Sequence, residues 1–125
     1  MDATLQYLQS KLSKEIQISY KKGELIVDFY KNGEHFRQDK IWMQSVDYSR
    51  IEWLEDEGDV VLRCKRDNSK CIDRRLFTKK IRDQYSRTKF PITGNETDRA
   101  GFIEALTHLA KLEQVPNYER TEPFE

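Results

Sequence analysis

The chain has 125 residues and a formal net charge of zero, with 35% charged and 37% hydrophobic residues. That length suits one domain and buries roughly two thirds of the unfolded-chain surface, while 14 aromatic residues exclude a disordered chain. No apolar run approaches the ~20 residues of a membrane helix, and MDATLQYLQSKL lacks the basic-then-apolar layout of a signal peptide, so the chain is expected to stay out of membranes and reads as cytoplasmic unless a signal peptide has been trimmed from it.

Residues 2–13 predict a short helix, because Leu5, Leu8 and Leu12 recur at helical spacing and Asp2 suits its start. Alternating residues then predict strands over 15–21, 24–30 and 34–42, separated by Lys22-Gly23 and Asn32-Gly33. Asn-Gly between alternating runs is a strong hairpin signal. In 34–42 the alternation puts Phe36 and Trp42 on one face with Gln38 and Lys40 between them, a conflict that a bulge would resolve. Residues 44–48 are a connector. Further strands are expected over 49–55, with Ile51 and Trp53 inward, and 60–66, with Val60, Leu62 and Cys64 inward. A two-residue turn at Asp67-Asn68 leads to strands 69–77 and 87–92, and 78–87 reads as a basic loop or one helical turn around Ile81. The stripe Phe102, Ile103, Leu106, Leu109 and Ala110 predicts a helix over 97–114, capped by Asn95 or Thr97 and stopped by Pro116. Residues 115–125 read as a flexible polar tail.

The fold expected is α+β: a small antiparallel curved sheet or barrel of about seven strands, capped by a C-terminal amphipathic helix, with a short helix in front. One domain covers residues 1–114.

Catalytic and metal chemistry find no motif. A two-residue turn at 67–68 places Cys64 opposite Cys71, with Cα atoms ~5.5 Å apart. A disulfide is within reach, but in a cytosolic chain both cysteines are expected reduced and buried. Two cysteines without a nearby histidine do not complete a zinc site. His35 and His108 have no motif partner and read as ordinary surface or helix-flank residues. Glu55-Asp56-Glu57-Gly58-Asp59 reads as a solvated hairpin tip, since it lacks the alternate ligand spacing of a calcium loop. No glycine cluster cradles phosphate. No cofactor and no metal is expected.

Charge is segregated along the chain. Residues 62–89 carry 11 Lys/Arg against 3 Asp/Glu, between flanks with 8 against 12 and 3 against 7. Such a block either marks a site for anionic partners or forms solvated strand faces and loops neutralised by the two acidic flanks. The candidate partner-binding residues are Arg63, Lys65, Lys70, Arg74 and Arg75, with Lys70 expected opposite Lys65. Tyr85 is a nearby aromatic and offers only a thin platform for stacking bases.

Strands followed by one amphipathic helix, over 15–114, resemble the pleckstrin-homology-like superfold. The resemblance implies a first sheet within 15–55, a second within 60–92, and a cap formed by Phe102, Ile103, Leu106 and Leu109. Two features depart from it. The closing helix has no Trp, so Phe102 would take that place. The hairpin Tyr20-Lys21-Lys22-Gly23-Glu24-Leu25 lacks the basic pattern of the phosphoinositide binders. The resemblance therefore implies a non-enzymatic domain that docks a protein or peptide. The alternative is a nucleic-acid or polyanion binder using 62–89. Neither the identity of the partner nor the oligomeric state is encoded in a motif.

Overall fold

The computed structural model describes residues 2–66 and 70–118. The side chain of Asp2, the Asp67-Asn68 turn and tail residues 119–125 lie outside the described residues.

The first helix, α1, spans Asp2–Ser10. Three strands follow as a meander: β1 (Ile16–Lys21), β2 (Glu24–Lys31) and β3 (Glu34–Trp42). Both turns place two successive residues at positive φ, Lys22-Gly23 at 51° and 81° and Asn32-Gly33 at 53° and 80°. That backbone twist matches the flanking strands, which is why Gly occupies the second position. The expected bulge is present: Arg37 faces Phe29 while His35 faces Tyr30, leaving Phe36 as the extra residue of β3. It also inverts the expected face. Asp39 and Ile41 point inward, and Trp42 is 56% exposed. An alternation read from Phe36 runs out of phase after the bulge, because one inserted residue moves every later side chain to the other face.

Two 3-10 turns, Met43–Ser45 and Tyr48–Arg50, fill the connector. Then come β4 (Glu52–Leu54), β5 (Asp59–Arg63), β6 (Ile72–Leu76), β7 (Ile81–Tyr85) and β8 (Arg87–Pro91). The described residues thus form eight strands where about seven were expected, because 81–85 is a strand and not a loop or helical turn. Four of its five residues are exposed, so it carries no burial alternation to read.

All pairings are antiparallel. One sheet has the order β1-β2-β3-β6-β7 and the other β4-β5-β8. The curved sheet does not close into a barrel. The division expected from the resemblance, 15–55 against 60–92, is therefore not the one observed: β4 joins the second sheet, while β6 and β7 join the first. Charge complementarity favours the observed register. Asp39 lies opposite Arg74 on one face of β3 and β6, and Lys40 opposite Asp73 on the other. Strands β5 and β6 are not paired with each other, so Lys70 does not oppose Lys65.

The cysteines are likewise corrected. Cys64 and Cys71 are joined by a disulfide, with Cα atoms 5.7 Å apart. It links the end of β5 to the start of β6, hence one sheet to the other. Backbone hydrogen bonds place both cysteines: Cys64 N–H donates to Ser86 O, and Cys71 O accepts from Trp42 N–H.

The closing helix α2 spans Glu96–Gln114 and is capped by Asn95, whose side chain accepts from Asp98 N–H while Asp98 accepts from Asn95 N–H. This reciprocal box satisfies two otherwise orphaned donors. Lys11, just past α1, ties to the same Asp98 at 2.8 Å. Phe102, Leu106 and Leu109 are fully buried, and the Phe102 ring meets Phe90 of β8 at 5.4 Å between centroids. The helix thereby caps the core formed by Leu25, Val27, Ile41, Val60, Leu62 and Ile72. His108 is buried too, not a flank residue; its Nδ1 lies 3.0 Å from Tyr118 Oη. The tail's first residues thus pack back onto α2. Among the described residues, no helix is long and apolar enough to cross a membrane.

Candidate anion-binding site

Arg37 and Asp39 are two residues apart on β3 and so share a face. Register places Arg74 of β6 directly across from Asp39. Thr88 of β8 approaches from the other sheet. Asp39 is only 1% exposed, and its carboxylate accepts from Arg37 Nε and Nη2 at 3.1 and 2.7 Å. It also accepts from Arg74 Nε and Nη2 at 2.9 and 3.2 Å, and from the Thr88 hydroxyl at 2.8 Å. The same hydroxyl accepts from Arg37 Nη2 and Arg74 Nη2 at 3.2 and 3.3 Å.

Each guanidinium also lies over a ring, Arg37 over Phe29 and Arg74 over Tyr85, both at 4.3 Å. A charged plane held by a carboxylate on its edge and a ring on its face has little freedom left. Burial pushes the Asp39 carboxyl pKa up, but the hydrogen bonds from Arg37 and Arg74 and their charges outweigh it and hold it below the usual carboxylate value. The group stays ionised.

Two clefts open beside this network. One, of about 250 Å³, is lined by Arg37, Arg74, Tyr85, Arg87, Thr88 and Lys89. The other, of about 280 Å³, is lined by Arg50, Arg63, Cys64, Lys65, Arg66, Ser86 and Arg87. Arg87 belongs to both, so they form one strip along β8. In the second cleft Arg50 is fixed by Asp47 at 2.7 Å and by donation to Cys64 O at 2.9 Å. Ser49 and Arg50 together hold the Asp47 pKa down to about 2. Arg63 donates to Arg50 O at 3.0 Å and pairs with Glu52. Lys89, in the first cleft, pairs with Glu57. Lys65, Arg66 and Arg87 are exposed, and among the described residues their side chains have no hydrogen-bond or ion-pair partner.

Of the residues expected from the sequence, Arg63 and Lys65 line one cleft and Arg74 the other. Lys70 does not join them: it lines a separate cleft with Glu24, Lys40, Trp42, Cys71, Asp73 and Gln84. Arg75 is on the opposite face of β6 from Arg74, facing Arg82 across the strand pair and lying over Phe77. Arg37 and Arg50 were missed because they fall outside the basic block. Their signals are local: Arg37-x-Asp39 on one strand face, and Asp47-x-x-Arg50 at a turn. Compared with models of protein families, with curated proteins and with solved structures, the chain finds no match in any of the three.

Proposed function

We propose that the chain is a non-catalytic interaction domain that docks an acidic segment of a partner protein along this strip. The observation that carries the reading is the charge surplus. The two clefts gather Arg37, Arg50, Arg63, Lys65, Arg66, Arg74, Arg87 and Lys89. Among the described residues, four paired carboxylates stand against these eight cations: Asp39, Asp47, Glu52 and Glu57. Six of the eight are arginines, whose planar fork suits bidentate contact with carboxylates. The class of function is the one the pleckstrin-homology-like resemblance implies; the route to it is electrostatic.

Nucleic acid is the less favoured partner, since single strands are held largely by stacking on aromatic faces. Tyr85 is the aromatic in the strip, and Arg74 covers its ring. We also read the disulfide as favouring an oxidising compartment over the cytoplasm.

Fluorescence anisotropy of a labelled oligoglutamate peptide tests the reading. Reversing Lys65, Arg66 and Arg87 to Glu is expected to weaken binding by about tenfold or more at low salt, while Lys70→Glu/Arg75→Glu leaves it unchanged. Steered binding of this kind also fades once the Debye length falls below ~10 Å. Equal affinity in the triple reversal overturns the reading. Tighter binding of single-stranded oligonucleotide than of peptide transfers the site to the nucleic-acid alternative.

A further inference from the structure

The smaller cleft differs in kind from its neighbour. The cations of the larger cleft include exposed chains with no ion-pair partner among the described residues, whereas Arg37 and Arg74 are fixed before any ligand arrives. Their side chains are 23% and 17% exposed, each clamped between the Asp39 carboxylate and an aromatic ring. Both spend Nε and Nη2 on Asp39 and Thr88. A guanidinium carries five N–H donors, and among the described residues Nη1 of each arginine has no acceptor. Asp39 offers one negative charge to two guanidiniums, and Arg87 adds a third cation that pairs with no carboxylate among the described residues. Four cations line this cleft against Asp39 and the exposed Glu57. Preorganised donors around a positive surplus bind anions at little ordering cost.

From this we infer that the cleft between β3, β6 and β8 is a preformed subsite for one tetrahedral oxyanion, the phosphate monoester of a phosphorylated side chain in the docked segment. The inference rests on the docking proposed above and names what one part of the strip selects. Arg37 and Arg74 present Nη1 donors, Arg87 and Lys89 close the rim, and Asp39 with Thr88 acts as a positioning pair that holds both forks. Arginine forks bind phosphate bidentately, and arginine clusters are a recurring means of reading phosphorylated peptides. At about 250 Å³ the cleft is below the ~300–1,000 Å³ of sites that enclose whole small-molecule ligands. It therefore suits a group at the end of a side chain better than a nucleotide. The rim also lacks an apolar wedge for a membrane: the large exposed hydrophobics among the described residues are Trp42 and Ile81, neither of which lines it.

Two acidic peptides of one sequence, with a single Ser unmodified or phosphorylated, are titrated into the full chain, with inorganic phosphate as competitor. Phosphorylation is expected to tighten binding about tenfold, and phosphate to compete away that increment alone. Arg74→Lys keeps a positive charge beside Asp39 but loses the fork, and Lys89→Gln takes one cation from the rim; in each, the ratio of phosphorylated to unmodified affinity is expected to fall to about twofold or less, whatever loss the two peptides share. A thermal melt of each variant checks that it is folded. Equal affinity for the two peptides, both still dependent on Lys65 and Arg66, overturns the subsite and leaves the docking reading standing. Failure of both peptides to bind overturns both. An increment that persists in Arg74→Lys/Lys89→Gln overturns the placement, and tighter binding to phosphoinositide vesicles than to the phosphopeptide overturns the peptide assignment.

Discussion

Replacing Asp39 by Ala removes the single carboxylate that both Arg37 and Arg74 face. Asp39 is 1% exposed and accepts five hydrogen bonds, two from each arginine and one from Thr88. Breaking a buried ion pair by removing one partner costs ~3–5 kcal/mol, because the other charge is left without compensation. Here the arginines line an open cleft and retain a fifth or so of their exposure, so water relieves part of the penalty. We take the lower end, about 3 kcal/mol. With an unfolding entropy near 2.1 cal/mol/K per residue, that loss lowers the Tm of a 125-residue chain by about 11 °C. Asp39→Asn keeps the shape and one acceptor and is expected to lose less. The pH dependence has a defined sign. The folded pKa of Asp39 is lowered from 3.8, so the unfolded state binds its proton first. Its contribution is present above about pH 4 and is lost as pH falls through the folded value. Urea melts followed by circular dichroism, at pH 7 and below 4, measure both. A loss under ~1 kcal/mol for Asp39→Ala at pH 7 would show that the arginines are held by something else, and the account of a rigid, preorganised cleft would go with it.

Reducing the disulfide, or replacing both cysteines by Ser, opens a loop with a sequence separation of 7 and is expected to cost about 2.5 kcal/mol from chain entropy; a native mass under non-reducing conditions equal to that of the dithiol would remove the basis for this. His108 is buried and its pKa is pushed below 6.5 by desolvation. The unfolded chain therefore takes up the proton first, so stability should fall as pH drops below about 6.5, by at most ~1.4 kcal/mol per pH unit. An unchanged slope in His108→Gln would assign the effect to other groups. Phe102→Ala should cost ~3–5 kcal/mol, since its ring fills the contact with Phe90, and a loss below ~1 kcal/mol in denaturant melts would contradict its place in the core.

Local chemistry was enough to locate the elements whose signals are short-range. The Asn32-Gly33 turn and the Phe102–Leu109 stripe depend on residues within a few positions of one another and appear where the sequence places them, and of the two caps it offers, Asn95 and Thr97, the structure uses Asn95. The clustering of cations in 62–89 was likewise visible, and three of its five candidate residues line the strip.

Tertiary structure decided the rest. Pairing partners are set by contacts far apart in the chain, so nothing local to 60–77 shows that β6 leaves β5 and pairs with β3. The bulge at Phe36 reversed the face of every residue after it in β3, which hid Asp39 from an alternation count and exposed Trp42. Arg37, Arg74 and Thr88 are separated by up to 51 residues in sequence. They meet on one carboxylate only because two sheets curve toward each other. A buried charge is tolerated where opposite charges reach it, and that reach is a property of the folded chain alone.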